Sequence, residues 1–228
     1  VIYALALVSL MYGLSLLPSL RGGGLILTGL LGIAGFALWE RSTVSPLLNM
    51  DLFLHNATFG FSNLAALINY SATFAVTFLL SLYLQYIKGL TPQHAGFILV
   101  AQPVVMALFS PLAGRLSDTI EPRIVASLGM GLAAAGLFLF TFLSPATSAG
   151  SIVGGLMLIG FGFALFSSPN TSVIMGSVPP RYLGVASGMS ATMRTLGMMT
   201  SMTIITVLFS VFMEDRAVTA ATSGAFLL

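Results

Sequence analysis

An all-α, polytopic membrane bundle is the fold this sequence predicts, and three observations carry it. Between Ile2 and Phe212 the chain runs through seven long apolar stretches separated by short polar breaks. Charged residues make up only 6% of the 228, against about a quarter in a soluble domain, while hydrophobic residues reach 57% and mean hydropathy is +1.03. The stretches lack the period-two alternation of barrel strands, and in lipid every backbone N–H and C=O must then be paired inside helices. Each is near or above the roughly 20 apolar residues that cross the hydrocarbon as helix.

The first two spans, 1–20 and 23–39, are parted only around Leu20 to Gly22 and form a tight hairpin. Ser45-Pro46 opens a stretch to Phe53 in which Leu47, Leu48, Leu52 and Phe53 are apolar and Asn49 and Asp51 polar, a pattern that suits a helix lying at the interface. The third span runs from 57 to 87; Gly89 after Lys88 stops it, and Thr91-Pro92 supplies a cap and an N1 proline for the fourth, 96–113. The fifth and sixth cover 124–143 and 151–177. Pro179-Pro180 closes the sixth because no helix continues through two residues without N–H donors. The seventh is 184–213. Three regions follow: a transmembrane hairpin at 1–40, a linker with an interfacial helix at 41–56, and a helix bundle at 57–228.

Cysteine is absent, which excludes disulfides, thiolate metal sites and thiol nucleophiles. The net charge of +2 rests on eight basic and six acidic residues, too few to point to nucleic acid as a partner. A chain that opens with Val1 inside an apolar run, without start methionine or signal peptide, reads as a piece of a longer protein, and Ala225 to Leu228 reads as the approach to a further helix. His55 and His94 fall at span edges, so no metal site is expected.

At 1.5 Å per residue the third span reaches about 46 Å and must tilt, bend or project beyond the lipid. Its polar groups, Asn63, Tyr70, Thr73, Thr77, Ser81 and Gln85, with Ala66 completing the steps of three and four, share one face. Such a face turns toward partner helices, as hydrogen-bonding glue, or toward a wet cavity. Arg194 is the one charged residue well inside a span, on a small polar stripe with Ser187, Ser190, Gly197 and Ser201. A central arginine is expensive in lipid. It either meets an acid outside these spans, which contain no carboxylate, or snorkels to the interface. Asn63, Tyr70, Thr73, Thr77, Gln102, Asn170 and Arg194 are the candidate pathway residues.

The segment Pro111-Leu-Ala-Gly-Arg-Leu-Ser-Asp-Thr-Ile-Glu-Pro-Arg123 resembles the loop motif of the major facilitator superfamily: a glycine, a leucine two on, an aspartate two further, then a basic residue closing a short turn. Its candidate residues are Gly114, Arg115, Asp118 and Arg123. Glu121 and Pro122 replace the glycine and second arginine of the family pattern, and Thr119 stands where a base is common. Ser45 to Phe53, Leu82 to Pro92 with Ala95-Gly96, Ser177 to Pro180, and Gly184 to Gly188 with Arg194 are similar to the second half of a fourteen-span drug:proton antiporter. The resemblance implies that spans one and two are the extra central hairpin and that spans three to seven are five of the six helices of the C-terminal bundle. It also implies a multi-pass plasma-membrane protein, with a small lipophilic substrate, the lipid bilayer and an absent N-terminal half as partners, and no cofactor beyond a proton gradient. The loop motif would then lie in the cytoplasm. Loop charges agree: Arg41, Arg115, Arg123 and Arg181 follow even-numbered spans, against Arg21, Lys88 and Arg216 after odd ones. In that loop Gly114 permits a tight exit from the fourth span, and Asp118 opposes Arg115 or Arg123 while accepting from a neighbouring helix N-terminus.

Gly129, Gly131 and Ala133 to Gly136, with Gly154, Gly155, Gly160 and Gly162, give small surfaces for close helix packing. Pro103, Pro111 and Pro169 should bend their spans. Phe74, Phe78, Phe163, Phe166, Met189 and Met193 offer soft apolar surface for varied ligands. A membrane enzyme would need an acid pair, a metal cluster or a serine with a base inside the bilayer, and a channel a charged or carbonyl-rich ring. Neither pattern is present.

Overall fold

The computed structural model describes residues 2–41 and 56–225. In chain order the helices are α1 (Ile2–Ser15), α2 (Leu20–Arg41), α3 (Ala57–Leu82, continued by a π turn over Tyr83–Ile87), α4 (Pro92–Leu99), α5 (Ala101–Thr119), α6 (Pro122–Phe140), α7 (Ala149–Gly176) and, after a 3₁₀ turn at Pro180–Tyr182, α8 (Leu183–Ala225). Among the described residues no strand occurs, and six helical runs are long and apolar enough to cross a membrane. The interfacial stretch at 46–53 lies outside the described residues.

The chain divides into two compact units, Val1–Met50 with Met198–Leu228, and Asp51–Gly197. In the first, α1 ends at Ser15, five residues before the expected end of its span, and the turn sits at 16–19 rather than at Leu20 to Gly22. Pro18 is the physical cause, because it has no N–H to give and its ring would clash with the carbonyl four residues back. With 14 residues, α1 is about 21 Å long, short of the hydrocarbon thickness. Glycines let α1 and α2 touch backbone to backbone: a methyl group at Gly13 would lie 2.7 Å from the Ile26 nitrogen, and one at Gly29 2.7 Å from that of Leu10. Ser9 Oγ donates to the Leu25 carbonyl at 2.9 Å, and Thr203 Oγ1 donates to the Leu14 carbonyl at 3.0 Å.

In the second unit α7 is the central helix, packed mainly on α6 and α5. Half of its most apolar window (50%) is buried, more than in any other described span. Small residues set this arrangement, as expected. A methyl group at Gly162 would lie 2.6 Å from the Ala133 nitrogen and 2.7 Å from the Gly129 oxygen, and Gly160 sits against the Gln102 carbonyl. Without a hydrophobic drive between helices in lipid, such close van der Waals approach is what holds them. Gly131 and Gly154 differ from expectation: a methyl group on either would meet nothing within 4 Å, so they take no part in packing.

Local signals explain the helix ends. The Thr91 side chain accepts from the His94 N–H with Pro92 at N1, and Gly89, at φ 65, takes the left-handed turn that closes α3. Asn56 caps α3 by accepting from the Phe59 N–H at 3.0 Å. The fourth span is a helix from 92 to 119, interrupted at Val100, where Pro103 has no N–H for the Leu99 carbonyl. Pro111 and Pro169 lie inside α5 and α7.

Candidate functional site: the polar face of α3, Arg194 and the bundle ends

The polar stripe of α3 divides in two. Asn63, Ala66, Tyr70 and Thr73 are buried by neighbouring helices, whereas Thr77 is exposed and Ser81 and Gln85 are half-buried. Much of the buried part serves the helix itself: Asn63 Nδ2 donates to the Phe59 carbonyl at 2.9 Å, and Thr73 Oγ1 to the Asn69 carbonyl at 2.7 Å. Gln85 Nε2 donates to the Ser81 carbonyl and Oγ. Two side-chain oxygens, Asn63 Oδ1 and Asn69 Oδ1, are buried with no hydrogen-bond partner. Asn69 belongs to no face picked out in the sequence, because it stands beside Tyr70 and off the steps of three and four.

Tyr70 connects three helices. Its ring meets Phe163 of α7 edge-on, with centroids 5.2 Å apart, and lies under the Arg194 guanidinium of α8 at 5.4 Å. Gly197 lets α8 come this close, since a methyl group there would be 2.9 Å from Tyr70 Cβ. Arg194 is exposed, and none of the described carboxylates pairs with it. Asn170 is buried and donates to the Ser62 carbonyl at 3.1 Å, tying α7 to α3. Gln102 is half-buried where α5 begins, beside Gly160.

The loop motif is built differently from its expected form. Gly114, Arg115 and Asp118 all belong to α5, which continues to Thr119, so Gly114 is no exit from the span. Nothing in the stretch from 112 to 119 breaks a helix, and the first uncapped break falls before Pro122. Asp118 is exposed and pairs with neither Arg115 nor Arg123. Arg123 instead donates to Thr58 Oγ1 at 2.7 Å and stands 3.9 Å from Glu121, in a pair whose partners are 64% and 61% exposed and so of little energetic weight. Ser117 is buried and donates to the Gly114 carbonyl.

Other polar contacts went unread in the sequence. Asn56 Nδ2 donates to the Ser177 carbonyl at 2.6 Å; its position just ahead of an apolar run was the available signal for a cap. At the opposite end of α3, Lys88 Nζ donates to the carbonyls of Pro145 and Thr147, and Tyr83 Oη to that of Ser144. A cleft of about 430 Å³ opens between α3, α6 and α7, with Thr58, Ser62, Arg123, Ser127 and Asn170 among its walls. Glu40, in the last turn of α2, is buried although the sequence placed it beyond the span.

Residues 62–228 match the family model described as Major Facilitator Superfamily. The chain belongs to that superfamily. Among curated relatives of this major facilitator chain, the riboflavin transporter RibZ of Clostridioides difficile is 31% identical over 170 residues, covering 75% of this chain and 37% of that protein. The uncharacterized transporter YebQ of Escherichia coli is 30% identical over 188 residues, 82% of this chain and 41% of that protein. The multidrug resistance protein Stp of Mycobacterium tuberculosis is 29% identical over 170 residues, 75% and 31%. The chain thus spans between about a third and two-fifths of the relatives it matches.

Proposed function

We propose that the chain belongs to a secondary transporter that exports lipophilic small molecules in exchange for protons, by alternating access across the plasma membrane. In this reading residues 1–40 are the extra hairpin of a fourteen-span protein and 57–228 most of its second bundle, with an N-terminal half completing the pathway. Small lipophilic substrates and the bilayer are the partners, and the proton gradient is the energy source.

The observation that carries the reading lies about two-thirds of the way along α3, where Thr77 is exposed between Phe74 and Phe78 in the chain, themselves 42% and 39% exposed. A hydroxyl beside two accessible rings, continuing a buried polar face, makes a surface that wets on one side and accommodates apolar bodies on the other. The names of the relatives as transporters, one of them for multidrug resistance, support the same class. Arg194 lacks an acid among the described residues, so the proton-carrying carboxylate is assigned to the rest of the protein.

The test is efflux of ethidium from cells that express the complete protein. Export should be energised by an inward proton gradient and collapse with a protonophore. Ethidium retention equal to that of non-expressing cells, or export indifferent to the gradient in proteoliposomes, would remove the proposal.

A further inference from the structure

Along its length α8 exposes two different surfaces. From Gly184 to Thr195 the exposed positions are Gly184, Ser187, Gly188, Ala191, Arg194 and Thr195, and a methyl group on either glycine would meet nothing within 4 Å. Further on they are Ile204, Thr206, Leu208, Phe209, Val211 and Phe212, the Thr206 hydroxyl donating to the Met202 carbonyl of its own helix. The later set is what hydrocarbon selects; the earlier one suits water or a close polar neighbour.

Arg194 stands in that small face about 16 Å along the helix from Leu183. Stacking on Tyr70 engages the flat face of the guanidinium and leaves its in-plane N–H donors unused. No hydrogen bond or ion pair from the described residues reaches them. The ring beneath is itself fixed, by Phe163 on one side and by the close approach at Gly197 on the other. A stacked, pre-oriented fork with free donors at membrane depth is matched by one planar acceptor, a carboxylate.

We propose that Arg194, held by Tyr70, docks the carboxylate of a transported amphiphilic anion whose apolar body lies toward Phe74 and Phe78. This rests on the exporter reading and adds a carboxylate-bearing class to its substrates. A carboxylate could also reach Arg194 from a side chain elsewhere in the protein, and the experiment separates the two sources.

The complete protein in proteoliposomes is given pyrenebutyrate or its neutral amide, which differ only in the charged group. The wild type should show a KM for the anion at least about tenfold below that for the amide, the range expected of a charge-assisted pair. Arg194→Gln should abolish that preference, Arg194→Lys should keep part of it as a point charge without the fork, and Tyr70→Leu should weaken it. If Arg194→Gln impairs folding, the Arg194→Lys and Tyr70→Leu ratios decide. A preference retained in the variants, or absent in the wild type, overturns the proposal; equal loss of both probes with the ratio intact assigns Arg194 to an acid of the protein. Should the wild type carry neither probe, ethidium efflux decides the exporter reading separately, and fluorescence anisotropy of pyrenebutyrate on the purified protein decides this one: binding that Arg194→Gln weakens tenfold supports docking, and binding that it leaves alone, or none in the wild type, refutes it.

Discussion

Replacing Gly162 by alanine tests whether backbone approach, rather than side-chain chemistry, sets the position of α6 on α7. The added methyl carbon would lie 2.6 Å from the Ala133 nitrogen and 2.7 Å from the Gly129 oxygen, whereas non-bonded heavy atoms settle at about 3.5–4.0 Å. Because the neighbours are backbone atoms, relief requires the helices to part by on the order of 1 Å. Overpacking of this kind costs about 1–3 kcal/mol. Alanine also gains about 1 kcal/mol of helix propensity over glycine, and it gains the same at Gly131, where the methyl group meets nothing within 4 Å. The difference between Gly162→Ala and Gly131→Ala therefore isolates the steric cost. At about 2–4 °C per kcal/mol for a chain of this size, the melting temperature of Gly162→Ala in detergent should fall below that of Gly131→Ala by roughly 2–12 °C. Fluorescence-detected size exclusion after heating measures this directly. Equal melting temperatures would refute the argument that the two backbones are in contact.

Asn56→Ala removes the α3 cap and the bond to the Ser177 carbonyl and should destabilise by about 2 kcal/mol, read as a lower melting temperature. Asp118, in the last turn of α5, has no partner among the described residues; Asp118→Asn relieves an unfavourable helix dipole contact of about 0.3–1 kcal/mol, so its melting temperature should hold or rise. For topology, Thr119→Cys is exposed and should react with impermeant thiol reagents from the cytoplasmic side alone, whereas buried Ser117→Cys should be protected from both sides. Hydrophilic thiol reagents should reach Thr77→Cys but neither Thr73→Cys, which is buried, nor Ala72→Cys, which points away from the polar face.

The third span was legible because the apolar run opens at 57 and Gly89, free to take positive φ, stops it; that Asn56 caps its start emerged only in the structure. The first span was not, since Leu16 and Leu17 continue the apolar run past the point where Pro18 ends the helix, and hydropathy outweighed backbone geometry in the reading. Charges at Arg115 and Asp118 suggested a loop, yet charged side chains at a membrane edge sit as well on a helix that projects into water. Periodicity located the polar face of α3 but not its surroundings, which depend on where α7 and α8 lie. For the same reason the sequence indicated that Arg194 needs a partner and could not indicate Tyr70. The bonds from Lys88 to the carbonyls of Pro145 and Thr147 join parts of the chain too distant for any local pattern to link.

Those bonds bear on how the bundle can move. At one edge α3 is fastened to the start of α6 by Thr58 and Arg123 and to the end of α7 by Asn56 and Ser177; at the other, Tyr83 and Lys88 hold the turn between α6 and α7. A beam pinned at both extremities cannot pivot separately from its frame. α3, α6 and α7 therefore travel as one yoke, and rocking of α3 carries the cleft beside Asn170 with it undeformed. One place where α8 meets this yoke is the stacking of Arg194 on Tyr70, which no hydrogen bond among the described residues fastens.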